Sequence, residues 1–431
     1  LDAIAASALR SLAEFAVQEL SNTAWSWATR CVADAPLLAA ISSASIKKLP
    51  EANFQDFANT AWAFAPLRCG HRPLLASIAA ASRPRLAALD VGPAAAGIPG
   101  GRVAELFGLA RALSEAGEGD AVLPAIAAAL RRSASCLDGG ATRTEVLDEA
   151  LPAARVSLGP QAQSPCVLAA RRHLCVLWKP AGWTVSVAYD DLDDAGGPSD
   201  EDERPGGRTL QEWLVQEFGE RLGIARDAAV AHGLLHRLDR DTSGALLWAR
   251  TYGAYFRGRL QLAAGHLGKD YVCLCHGWLP GGPRLVNLAL LRVEAGAGGR
   301  AARSVVSPHG RPSLTEVRAV GQLLRRGGGV GAGPLSLVEV RLHTGRLHQI
   351  RAHLAAEGHP LVGDAAYGGA PAGPFCGRVF LHACRLRADA GEGEPLDVSV
   401  PLPADLSEAL ASIEPAGGQG RALLRRWALP S

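Results

Sequence analysis

The sequence predicts a chain of two unlike parts: an all-α helical repeat, stacked as a solenoid, followed by an α+β domain. Three observations predict it. A segment rich in Ala and Leu repeats at a spacing of 37 residues in the first third of the chain. From Cys166 onward the pattern changes to short apolar runs broken by Gly, Pro and polar clusters. At 431 residues, 48% of them hydrophobic, the chain is also too long for one compact core.

The repeat comes first. "LSNTAWSWA" from Leu20 returns as "FANTAWAFA" from Phe57, and "PLLAAI" from Pro36 returns as "PLLASI" from Pro73. "LDAIAASA" at Leu1 matches "LAAISSAS" at Leu38 by the same shift, and a weaker copy runs from Val103 to the "LPAIAAAL" stretch after an insertion at 92–102. Two helices fit each period, and each pair buries its apolar face on its neighbours. This assigns residues 1–132 to the repeat region. Trp25 and Trp62 occupy equivalent places; the simpler reading packs them in the core, the sharper one sets them on a concave surface for RNA or protein.

Residues 133–165 read as a linker with one helical stretch over 144–153. Strands are expected at Cys166–Lys179, Gly244–Arg250, Lys269–Leu279 and Leu335–Gly345, and helices at Thr209–Phe218 and Gly345–Glu357. Two insertions interrupt them. The acidic, Gly-rich stretch 189–208 has the composition of a disordered loop. The Gly-rich stretch 323–334 lacks the Lys and Ser/Thr of a phosphate-binding loop. Residues 413–431 read as a C-terminal tail.

Composition narrows the function classes. A net charge of +2 neither demands nor forbids a nucleic-acid partner, because local clustering decides. Nine cysteines without paired spacing point to a reducing compartment and structural thiols. Cys273 and Cys275 fall on one face of a strand, and no further ligands complete a metal site. No stretch is apolar enough to predict a membrane span or a membrane partner. The chain opens on Leu and contains no Met, which predicts a piece of a longer protein whose targeting segment lies outside it. The repeat unit, with its Asn-Thr-Ala-Trp core, resembles helical repeats of organellar RNA-metabolism proteins, and that resemblance implies an organelle over the nucleus or cytoplasm.

Chemistry is concentrated in three polar clusters. In "HRLDRDTSG" (His236–Gly244), Asp241, Thr242, Ser243 and Gly244 read as turn-shaping residues. Asp239 is then the acid left to act, flanked by Arg237 and Arg240, which hold a carboxylate ionised. An ionised carboxylate can serve as nucleophile or base, and on local pattern an ordinary ion pair is the equal alternative. The second cluster is Lys269-Asp270-Tyr271. The third, Arg341–His353, contains three Arg, three His and no acid. It reads as an anion site at a helix start near Arg346, or as a solvated basic face. Its His spacing does not match a zinc helix.

These motifs occur in order with "FLHACRL" (Phe380–Leu386), after "KPAGWTV" from Lys179 and before "VPLPADL" (Val400–Leu406). Together they resemble the catalytic domain of the RluA family of pseudouridine synthases, over roughly residues 166–412. The resemblance implies a mixed, largely antiparallel sheet with flanking helices and a central RNA-binding cleft. It implies an isomerase that converts uridine in RNA to pseudouridine by flipping the base out, with no cofactor and no metal. Asp239 matches the catalytic aspartate, Tyr271 the tyrosine that packs against the base and can move a proton, and Arg346 the arginine that pairs with the aspartate. Arg237 matches an arginine that displaces the target nucleotide. His236, His348, Gln349 and Arg351 complete the expected RNA-binding set.

One departure stands out. Leu347 occupies a place where the family carries Thr or Ser, so a side-chain donor beside Arg346 is missing. The competing reading is a synthase-like RNA-binding or assembly factor without activity. A retaining glycosidase would need a second acid opposite Asp239, which no motif supplies. Ribosomal, transfer and messenger RNA all remain candidate substrates.

Overall fold

The computed structural model describes residues 9, 11–12, 14–29, 34–64, 71–89, 100–138, 163–185, 208–293, 302–325, 333–369, 375–391, 393 and 395–428. The chain divides into two compact units, Leu1–Thr142 with Phe256–His266, and Arg143–Tyr255 with Leu267–Ser431.

The first unit is helical: α1 (Val17–Thr29), α2 (Ala35–Lys48), α3 (Phe54–Phe64), α4 (Arg72–Ala87), α5 (Gly100–Glu115) and α6 (Leu123–Asp138). Local chemistry sets the starts. Asp34 caps α2 by accepting from the Leu37 N–H. At the start of α3, Asn53 and Asp56 each accept the other's backbone N–H, a reciprocal cap. α1 packs on α3 and α3 on α5, while α2 packs on α4 and α4 on α6. The repeated "PLL…I" segments supply the interior: Leu37, Leu38 and Ile41 in α2, and Leu74 and Ile78 in α4, are fully buried.

The paired tryptophans depart from the core expectation. Trp25 is 46% exposed, Trp62 is half-buried, and their rings lie 6.3 Å apart. The buried stripe of α1 is Leu20, Ala24, Trp27 and Ala28, at helical spacing, so Trp25 falls off it and Trp27 fills the interior. Helix α6 also carries the helical region past residue 132. Residues 139–162, which include the expected linker helix, lie outside the described residues, as does most of the acidic insertion.

The second unit is built on one large sheet, in the order β1 (Cys166–Ala170), β2 (Leu174–Lys179), β3 (Ser243–Ala249), β10 (Leu381–Ala388), β4 (Gly268–His276), β9 (Gly333–Leu342), β8 (Leu314–Arg325) and β12 (Glu414–Pro415). β11 (Leu396–Ser399) pairs with β10, and β5 (Arg284–Asn287) with β8. Among the named strands only β3 and β10 pair in parallel; the other strand pairs are antiparallel. β6 (Leu290–Val293) and β7 (Arg303–Val306) form a separate two-stranded hairpin. Helices α7 (Leu210–Phe218), α9 (Gln349–Ala356), α10 (Ala404–Ala411) and α11 (Gly418–Trp427) complete this unit, while α8 (Tyr252–Ala263) belongs from Phe256 onward to the first unit.

Two sequence boundaries shift. The Gly-rich stretch 323–334 is strand at both ends, in β8 and β9, and residues 326–332 between them lie outside the described residues. The expected C-terminal tail is a packed element: Leu423 of α11 joins the core with Val272, Leu337, Phe380 and Leu406, and α11 lies so close to β8 that a Cβ on Gly321 would meet Gly420 and one on Gly420 the Gln322 carbonyl. Val272 and Leu274 face these C-terminal helices, so Tyr271, one residue earlier, points to the opposite face of the sheet.

Candidate active site

β10 assembles the site. On one side Ala383 pairs with Gly244 at the start of β3, and on the other with Tyr271 in β4. A late strand thus brings the first two polar clusters to neighbouring positions. The approach of β3 to β10 needs Gly244: its φ is +132°, and a Cβ there would collide with the Ala383 backbone.

The turn before β3 delivers Asp239. Thr242 donates its N–H to the Asp239 carbonyl at 3.0 Å. The Nζ of Lys179, which is fully buried, donates to the carbonyls of Pro180, Arg240 and Thr242 at 3.0, 2.9 and 2.7 Å. His236 is buried and its Nε2 accepts the Leu247 N–H at 3.2 Å, so this ring ties the turn to β3. Arg378 holds the far side, donating to the Asp241 carbonyl at 2.8 Å and to Ser243 Oγ at 3.0 Å. The Asp241 side chain is exposed. Ser243 also bonds His382 Nδ1 at 3.0 Å.

The third cluster differs most from its sequence reading. The helix begins at Gln349, not Gly345, because His348 takes a left-handed conformation (φ +52°) just before it. The arginine against the aspartate is Arg351, whose Nη1 lies 3.5 Å from Asp239 Oδ2. Arg346 lies in the preceding turn, where its Nη2 donates to the Pro312 carbonyl at 3.4 Å. Arg346 precedes the left-handed His348 and Arg351 follows it inside α9, and of the two only Arg351 forms an ion pair with Asp239.

Arg351 is also not a surface phosphate contact. It is buried and grips Asp364, itself fully buried, at two points of 2.8 Å. Gln349 is a hub: its Oε1 accepts from Thr344 Oγ1 and the Arg346 N–H, and its Nε2 donates to the Leu314 carbonyl and Thr315 Oγ1. That fixes the turn from within, while Leu347 is 6% exposed and adds apolar packing in place of the missing hydroxyl. His353 is enclosed between Thr315 and the Leu288 carbonyl. Arg341 pairs with Asp270. The absence of acids within Arg341–His353 misleads because the partners come from other strands and loops.

Electrostatics follow from this packing. Burial raises the Asp239 pKa, but His348, Arg351, Arg237 and Lys179 outweigh it, and the net shift is downward. Burial pushes His348 down to about 4, so at neutral pH its ring is uncharged and the arginines and Lys179 supply the field. Tyr271 is 5% exposed; burial and the Asp239 charge raise its hydroxyl pKa and keep it protonated. Among the described residues no group of three His, Cys, Asp or Glu is arranged to hold a metal ion.

Sequence reasoning missed Lys179 and Asp364 as individuals, although both lie in the quoted motifs "KPAGWTV" and "GHPLVGDAAYG". Their signal is a charged residue inside an apolar stretch, which burial permits only with partners.

Comparison with known proteins agrees with this arrangement. Residues 173–356 match the family described as RNA pseudouridylate synthase. Over this stretch the chain is similar to RNA pseudouridine synthases, among them ribosomal large subunit pseudouridine synthases C. It is 35% identical over 173 residues to the uncharacterized RNA pseudouridine synthase YhcT of Bacillus subtilis (strain 168), covering 40% of this chain and 53% of that protein. It is 36% identical over 184 residues to an uncharacterized RNA pseudouridine synthase of Chloroflexus aurantiacus, 42% of this chain and 54% of that protein. The ribosomal large subunit pseudouridine synthase C of Escherichia coli (strain K12) is 32% identical over 223 residues, 49% of this chain and 66% of that protein. The chain spans about half the length of the first two relatives. The matched stretch contains Asp239, Tyr271, Arg346 and Arg351, and ends before Asp364.

Proposed function

We propose that this chain is an RNA pseudouridine synthase that isomerises uridine in RNA without a cofactor. The observation that carries the reading is Asp239: a largely enclosed carboxylate, kept ionised by Arg351, Arg237 and Lys179, close enough to the protonated Tyr271 to raise its pKa. Isomerisation breaks the N1–C1′ bond, turns the uracil and joins C5 to C1′; C5 loses a proton and N1 gains one. Asp239 either attacks C1′ or removes the 2′ proton, and both routes need it ionised. Arg351 takes the pairing part that the family resemblance assigned to Arg346. A target stacked within RNA must be flipped out, and stacking on Tyr271 offsets about 1–3 kcal/mol of that cost. Arg237, two residues from Asp239, is the residue we assign to displacing the nucleotide.

The helical unit belongs to the same reading as a repeat array. Its two rows of helices follow the 37-residue period, which supports a solenoid, and the exposed Trp25 supports a contact surface for RNA or protein.

The test is incubation with transcribed ribosomal, transfer and messenger RNA, followed by chemical mapping of pseudouridine. Asp239→Asn and Asp239→Ala are expected to bind RNA and form none. Substantial turnover by either variant overturns the assignment.

A further inference from the structure

Tyr367 lies in "GDAAYG", three residues after the Asp364 that anchors Arg351. Its hydroxyl accepts the Ser304 N–H at 2.9 Å and lies 3.2 Å from His348 Nδ1. Its ring lies 5.2 Å from the Arg351 guanidinium carbon. One side chain therefore touches the β6–β7 hairpin, the left-handed residue that precedes α9, and the arginine paired with Asp239.

The Tyr367 oxygen accepts from Ser304 and shares one further hydrogen bond with His348 Nδ1, whose buried ring is neutral at physiological pH. Burial likewise raises the Tyr367 pKa and keeps its hydroxyl protonated.

The hairpin has reason to need such a tie. Its two strands stand apart from the main sheet, and an isolated hairpin is marginal in water. Leu291, Val293 and Val306 are each at least 40% exposed, so the apolar seat of the hairpin rests on its inner face, chiefly Leu290. Beyond Tyr367, the seat is made by the mutual backbone bonds of Leu290 with Arg311 and by Arg303, which reaches the Ala366 carbonyl at 3.4 Å.

We propose that Tyr367 is a positioning residue that joins the β6–β7 hairpin to the turn and helix carrying His348 and Arg351, so that displacement of the hairpin is transmitted to Asp239. This rests on the synthase reading, and its test separates the two. Tyr367→Phe removes the hydroxyl and keeps the ring over Arg351. In the RNA-free protein, amide hydrogen exchange in 302–306 is expected to quicken about ten-fold while β8 stays protected. On whichever transcribed RNA the wild type modifies, kcat is expected to fall about ten-fold with KM within about two-fold. Tyr367→Leu, which also removes the ring, is expected to lose more kcat. Unchanged exchange at 302–306, or loss of protection throughout the sheet, overturns the tie. Quickened exchange with wild-type kcat overturns its transmission to Asp239. A wild-type protein inert on every transcribed RNA counts against the synthase reading, and the exchange experiment still decides whether the tie exists.

Discussion

Arg351 Nη1 stands 3.5 Å from Asp239 Oδ2, while the same guanidinium binds Asp364 through Nε and Nη2 at 2.8 Å. The tight two-point contact goes to the buried, structural carboxylate. The looser single contact goes to the carboxylate that is partly open, with a side-chain exposure of 19%. Asp364 thus fixes the arginine, and the arginine lends Asp239 its charge without saturating its oxygens. A carboxylate held this way is ionised and still has lone pairs for chemistry.

Replacing Arg351 by Lys tests that division of labour. A lysine is a point charge and cannot span both acids with a planar fork. Arg351→Lys is expected to lower kcat/KM by about 100-fold or more, the scale of removing a preorganised charge from a site. Arg346→Lys, which leaves the Asp239 pair in place, is expected to cost about ten-fold less. Steady-state kinetics on the modified RNA, with thermal melting alongside, decides it. Equal losses at the two positions would show that the proximity of Arg351 to Asp239 has no special effect.

The sequence made the strands and the catalytic turn legible because their signals are local. Apolar runs bounded by Gly and Pro mark β2, β3, β4 and β9, and "DTSG" marks the turn that presents Asp239. Choosing between Arg346 and Arg351 was not a local matter. It depends on where α9 begins, and His348 delays that start by a left-handed residue that no propensity signals. The basic character of Arg341–His353 misled for a related reason: its acidic partners Asp270, Glu316 and Asp364 lie outside the stretch, the first two in other strands and the third in the loop 13 residues past Arg351. The placement of Trp25 turned on which residues share the buried stripe of one helix, and identical "TAW" motifs say nothing about that.

Lys179 connects the end of β2 to the catalytic turn through three carbonyl acceptors. Lys179→Met keeps the approximate volume and removes every donor. An unsatisfied buried acceptor costs about 1–3 kcal/mol, so the substitution is expected to lower the melting temperature by several degrees. Because the Arg240 and Thr242 carbonyls flank Asp239, kcat is expected to fall as well. A variant that melts and turns over like the wild type would show that the turn holds its shape without the ammonium.

Gly244 is a position where the backbone, not the side chain, is under constraint. Gly244→Ala would force a φ of +132° on a residue with a Cβ and push that Cβ into Ala383. The expected loss is at least about 2 kcal/mol, with poor soluble expression as the first sign. Gly182→Ala is the control: its φ is +83°, but the space around it is open, so only the backbone term of about 1 kcal/mol applies. Denaturant unfolding of the two variants gives the comparison, and equal losses would remove the steric argument.

Two buried histidines make stability fall in mild acid. Burial lowers both His348 and His382 to about 4. His382 is fully enclosed, between Ser243 and the Val400 carbonyl. In the unfolded chain each ring takes up its proton near its ordinary value of about 6.5, while the folded ring stays neutral until about 4. The folded state therefore has its full stability above about pH 6.5 and loses it as the pH falls toward 4, by at most about 3 kcal/mol per ring. Asp239 acts in the same direction at lower pH: its depressed pKa contributes stability above the ordinary aspartate value that disappears as pH falls through the depressed one. Urea unfolding at pH 7.5, 6, 5 and 4.5 is expected to show a steady decline. His382→Gln, which has no charge to gain, is expected to flatten part of that slope even if it lowers stability at pH 7.5. A profile that stays level from pH 7.5 to 4.5, or a variant with the full wild-type slope, would mean that His382 is accessible to protons in the folded protein.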